Sequence, residues 1–282
     1  MKTRQKKSTK RSIFLWIIIF SHVFPVIFSA FYDKFNHSNH NVELSDPKYW
    51  FWAFTWWSAW TSLLTVPWAI YKLLNLKKNK ESSFKEQIWD MIVAEANFIS
   101  GFFFCCGGFL LTISSAGKTQ PIYPLLGKIK PIYLWSFYNF FWHILAPGLT
   151  LYYFWNYCKS NKLVKRKKTS LIINLFNPTI YLLYVVARPL VLNFLKSKSN
   201  LPHHYPHNYP YPPFFWIAGQ FANGEEARSG KSKLLFLSWK PTWISGLIWL
   251  VLAVALWYAF FTWLFNFFVK IKRKQNNSEV KF

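Results

Sequence analysis

The sequence predicts an all-α integral membrane protein, with six transmembrane helices in one bundle and both the N- and C-termini in the cytoplasm. Three observations predict it. Apolar residues fill 52% of the 282 positions. The formal charge is nevertheless +24, with the cations standing in blocks between long uncharged runs. Six of those runs reach or approach the roughly 20 mostly apolar residues that a helix needs to cross a bilayer. A disordered chain would pair high charge with few apolar residues. A nucleic-acid-binding domain would spread its cations over a globular face. Neither pattern is present, so no nucleic-acid partner is expected.

A basic cytoplasmic N-terminus, residues 1–11, precedes the first span, 12–31. Its outline is that of a signal peptide, but the apolar run is too long and no small-x-small cleavage pattern follows, so it reads as an uncleaved span. The remaining spans fall at 50–74, 88–115, 132–157, 180–195 and 241–269, completing a membrane domain over 12–269 with a basic tail at 270–282. The fifth is short, and the third carries Asp90 and Glu95. Loop charge sets the orientation. The N-terminus, the two alternate loops and the tail hold 22 Lys and Arg, against 11 in the other three loops. The positive-inside rule then places both termini in the cytoplasm of a multi-pass cell-membrane protein. The block "KLVKRKK", Lys162 to Lys168, reads as part of that signal, touching anionic headgroups. No matching of two halves is visible, which argues against an inverted-repeat transporter. The outer loop, 196–240, contains "HHYPHNYPYPPFFW". Its prolines oppose regular helix and favour an extended, turn-rich path, and its aromatics suit the membrane–water interface. Cys105, Cys106 and Cys158 form no disulfide framework and read as small apolar packing residues.

The spans carry polar residues in stripes. In the second, Thr55, Ser58 and Ser62 share one helical face while Trp52, Trp56 and Trp60 share another. Thr55 lies about five residues in, roughly 7–8 Å deep. In the fourth, Ser136, Asn139, His143, Pro147 and Thr150 repeat at helical spacing, with His143 about 15 Å down. Facing each other, the two stripes line a polar cavity in the outer half of the bilayer. Hydroxyls at such positions also serve as interhelical glue. An ionisable side chain within a span, by contrast, faces the bundle interior for a reason. His22, with Ser29 on its face, and Glu95, with Asn97 beside it, are structural or pathway groups. Arg188 in the fifth span is the natural partner for Glu95, since either charge alone is costly; its other use is to anchor a substrate carboxylate.

The pieces "FTWWS" (Phe54 to Ser58), "HILAP" (His143 to Pro147) and "NPTIYLLYVVARP" (Asn177 to Pro189), leading to "YPYPPFF" (Tyr209 to Phe215), occur in that order. With the six-span layout they resemble the membrane family of androgen-induced fatty-acid-ester hydrolases and its prokaryotic six-helix branch. The chain is similar also to an uncharacterised set of mollicute membrane proteins. The resemblance runs from about residue 12 to 269 and implies a threonine nucleophile at Thr55 and a histidine partner at His143. Bacterial relatives often carry an asparagine after the serine that follows the "FT" pair; here Ser58 is followed by Ala59, so that part of the motif is lost.

The implied chemistry is sound. A threonine hydroxyl is a poor nucleophile until a base takes its proton, and a neutral imidazole does this near pH 7. Acyl transfer also needs donors for the developing oxyanion, for which Asn139, Ser58 and Arg188 stand as candidates. A third group orienting His143 is not identifiable from the sequence. No G-x-S-x-G elbow appears. The substrate would be a membrane lipid or fatty-acyl ester, and no cofactor is required. His203, His204 and His207, with His37 and His40, do not follow a standard zinc pattern, so no metal site is expected. The alternatives are a transporter or channel with a polar path through His22, Glu95, His143 and Arg188, or a non-catalytic membrane protein.

Overall fold

The computed structural model describes residues 2–36, 57–76, 82–103, 140–184, 187, 233–234, 237–238 and 243–279. They are almost entirely helical: α1 (Lys2–Asn36), α2 (Trp57–Asn75), α3 (Phe84–Phe103), a π-helical segment (Phe141–Leu145) running into α4 (Ala146–Tyr157), α5 (Asn161–Lys165), α6 (Lys167–Asn174) and α7 (Trp243–Glu279). Residues 176–184 are helical as well. Two two-residue strands, β1 (Lys233–Leu234) and β2 (Leu237–Ser238), form an antiparallel ladder pairing Lys233 with Ser238 and Leu234 with Leu237.

The chain divides into two compact units, Met1–Ser170 with Phe267–Phe282, and Leu171–Asn266. In the first, α1 packs on α2, α2 on α3, α3 on α4, and α4 with its π segment back on α1, closing a four-helix ring. Its interior alternates large apolar groups (Leu15, Ile18, Trp68, Met91, Phe154) with buried polar ones (His22, Thr65, Asn97, Thr150). The hydroxyls are accommodated by bonding back along their own helices. Thr61, Ser62 and Thr65 donate to the carbonyls four residues earlier at 2.7, 3.2 and 2.8 Å, and Thr150 does so to Ala146 at 2.9 Å. Phe268 of α7 packs edge-on to Phe98 and Trp155. Within the second unit, Tyr258 and Thr179 share a 2.7 Å hydrogen bond, Trp257 Nε1 donates to the Pro178 carbonyl, and the Tyr181 ring stacks on Trp257.

Two stretches among the described residues are long and apolar enough to cross a membrane, Thr9–Phe28 in α1 and Val254–Gln275 in α7. Both leave large apolar side chains exposed: Ile13, Trp16, Ile17 and Phe20 on α1, Leu256 and Trp263 on α7. Stripes of that kind require covering by lipid or another chain.

Several helix ends differ from the apolar windows. α3 begins at Phe84, before the window at 88, because Ser83 and Glu86 form a reciprocal cap: Ser83 Oγ accepts from the Glu86 N–H, and the Glu86 carboxylate accepts from the Ser83 N–H. The helix over 176–184 starts before the expected 180. α7 continues ten residues past 269, since its Lys, Arg and Gln are good helix formers and need no apolar face.

Candidate functional site

The hydroxyl stripe of α2 and the polar stripe of α4 do meet one imidazole, that of His22 on α1. Its Nδ1 lies 3.2 Å from Ser62 Oγ and its Nε2 lies 3.2 Å from Thr150 Oγ1. Trp142, from the π segment, donates Nε1–H to the Ser58 carbonyl and to Ser62 Oγ, both at 3.1 Å. Ser58, which the sequence offered as an oxyanion donor, therefore enters this cluster through its backbone. His22, Ser62 and Thr150 are 1, 4 and 0% exposed. With both ring nitrogens engaged and no open side, His22 fastens three helices together. On the other flank of α2, Trp57 Nε1 and Thr61 Oγ1 donate to the Ala96 carbonyl, and Asn97 Nδ2 donates to Thr65 Oγ1 at 2.9 Å, joining α2 to α3.

His143 faces a different neighbour. Its Nδ1 lies 3.2 Å from the Ser100 carbonyl oxygen and 3.4 Å from Ser100 Oγ, both on α3. The expected stripe through His143 and Thr150 thus splits, His143 turning to α3 and Thr150 to α1. The cause is local. Pro147 has no N–H to give the His143 carbonyl, and its ring crowds the carbonyl four residues back. The chain answers with a wider turn, closed by the Ala146 N–H on the Phe141 carbonyl. That π spacing rotates residues before it relative to those after, and such turns recur at functional sites. The same turn brings the His143 carbonyl and Pro147 against Gly101 of α3.

A carbonyl can only accept, so the 3.2 Å Ser100 contact, shorter than the 3.4 Å one to its hydroxyl, favours the tautomer with the proton on Nδ1 and Nε2 as the basic nitrogen. Such an imidazole can take a proton from a nearby alcohol, and unlike His22 it is partly exposed. The group that orients His143, invisible in the sequence, is thus a backbone carbonyl. Trp142 also went unrecognised; a tryptophan in a tryptophan-rich span gives no sign of where its N–H points.

Thr55, Asn139 and Arg188 lie outside the described residues, as do Ser136, Cys105, Cys106 and all the histidines of the outer loops. Glu95 is buried in α3. The ion pair among the described residues joins Lys72 to Asp90 at 2.7 Å, with Trp68 Nε1 donating to the same carboxylate. Cys158 is a buried free thiol. Among the described residues, no group of three His, Cys, Asp or Glu could hold a metal ion.

No family model, curated protein or solved structure matches this chain.

Proposed function

We propose that this protein is a six-span cell-membrane protein with cytoplasmic termini, related to the fatty-acid-ester hydrolases it resembles, and that it cleaves or transfers a lipid acyl ester. Thr55 is the nucleophile and His143 the base that takes its proton; Ser58, Asn139 and Arg188 are the candidates for receiving the oxyanion or carboxylate. The observation that carries this reading is the 3.2 Å contact from His143 Nδ1 to the Ser100 carbonyl. It supplies the third member that a nucleophile–base pair needs, a group that holds the imidazole in the correct tautomer. The test is turnover of long-chain acyl esters by the purified protein in proteoliposomes. Thr55→Ala and His143→Ala should each slow it by at least about a hundredfold. Turnover equal to wild type in either variant contradicts the assignment.

A second reading, a polar transport path, is favoured by one observation: the buried polar groups of α1, α2 and α3 stand in series, with His22 on Ser62 and Asn97 Nδ2 on Thr65 Oγ1. Dye-reported ion flux into the same vesicles separates the two, since the hydrolase predicts none above empty liposomes.

A further inference from the structure

Gly101 is the one residue of α3 whose missing side chain is shown to let α4 come close. A Cβ there would stand 3.2 Å from the His143 carbonyl oxygen and 3.3 Å from Pro147 Cβ. Both distances are tighter than ordinary contact, so a methyl group at 101 requires the His143 carbonyl or the Pro147 ring to give way by a few tenths of an ångström. The residue before it, Ser100, carries the carbonyl that His143 Nδ1 reaches. Close approach and hydrogen bond are therefore one geometric feature, built from Pro147 on one helix and Gly101 on the other.

We infer that Gly101 is a positioning residue for His143: its lack of a side chain seats the π segment so that the Ser100 carbonyl fixes the Nδ1–H tautomer and leaves Nε2 to act as base. The inference rests on reading His143 as that base, but its structural half stands apart from any activity. Gly148 of α4 provides the internal comparison, because a Cβ there meets nothing within 4 Å.

The experiment is nitrogen-15 NMR of the full-length, histidine-labelled protein in micelles at pH 8, with the His143 signals assigned by their loss in His143→Gln. Wild type should show a protonated Nδ1 and an unprotonated Nε2, with the other tautomer about fivefold rarer, the worth of one hydrogen bond. Gly101→Ala should bring the two tautomers toward parity and, because the base-competent form then falls from most of the molecules to about half, slow ester turnover by no more than about twofold, whereas Gly148→Ala should change neither. An unprotonated Nδ1 in wild type, or an unchanged tautomer ratio in folded Gly101→Ala, overturns the inference. Should Gly101→Ala not fold, the wild-type spectrum decides. The predicted tautomers without any turnover sink the esterase reading alone; turnover with the opposite tautomer sinks this one alone.

Discussion

Lys272 shows how single cations are used here. Its ammonium is buried and donates to the Phe154, Trp155 and Cys158 carbonyls at 2.8, 3.1 and 2.9 Å, at the C-terminus of α4. Those carbonyls end a helix and carry the negative end of its dipole. Lys272→Met keeps the stem but removes the donor from the Trp155 and Cys158 carbonyls, while the Phe154 carbonyl keeps the Cys158 N–H, and should cost about 2–4 kcal/mol, read as a lowered melting temperature in detergent. His22 makes a contrasting case. In His22→Leu, Ser62 and Thr150 keep their bonds to the Ser58 and Ala146 carbonyls. The loss should be only about 1–2 kcal/mol, with ester turnover retained; loss of turnover in a folded His22→Leu protein would move the chemistry from His143 to His22. At this scale the sequence marked polar residues that are buried, such as His22, Glu95 and Thr150, and was a poor guide to which of them touch. The spacing of His143 and Thr150 assumed an unbroken α-helix, and the π turn moved one of them to another neighbour.

The helices were legible from apolar runs, their ends less so. The window for the third span began at Ile88 because hydropathy does not register a polar first turn. The Ser83–Glu86 cap is what starts α3, and Ser83→Ala should destabilise by about 1 kcal/mol. The same cap gives a pH dependence. Burial pushes the Glu86 carboxyl up, but the Tyr71 hydroxyl, the Ser83 backbone N–H and Lys72 outweigh it and hold the group below its ordinary 4.5. A depressed folded-state value means that the contribution is full above 4.5 and is lost as the pH falls through the folded-state value. Melting curves between neutral and acid pH should therefore lose part of their slope in Glu86→Gln; identical slopes would show that the cap is electrostatically silent. Pro147 was the visible sign of the π segment, since a proline inside a span removes one backbone bond wherever it stands.

For the whole molecule, cytoplasmic termini are proposed, and that proposal requires the basic elements of the first unit to share one end. Arg11, near the start of α1, stands over the Tyr157 ring at the end of α4. Gln87, at the start of α3, bonds to Asn161 just beyond α4, and Lys272 of α7 closes the same end. The basic blocks on these elements thus gather at one end of the bundle, as a positive-inside protein requires. Single cysteines added before Lys2 and after Glu279, in a background lacking the native thiols, should both resist impermeant maleimide in intact cells and react after permeabilisation. Labelling of either in intact cells overturns the topology. Apolar runs were readable because lipid imposes a length on them, and two stretches among the described residues, Thr9–Phe28 and Val254–Gln275, meet that length and apolarity. The site was readable only as residue types, because bringing them together depends on helix rotation, which composition does not encode.

The central claim is that His143, held by the Ser100 carbonyl, activates Thr55. Its most direct test is mass-spectrometric mapping of the adduct left by a lipid fluorophosphonate on the full-length protein. The account predicts the phosphonyl group on Thr55, absent in His143→Ala and retained in His22→Leu. An adduct on Ser62 or any other residue, or one on Thr55 that persists at full yield in His143→Ala, would contradict it.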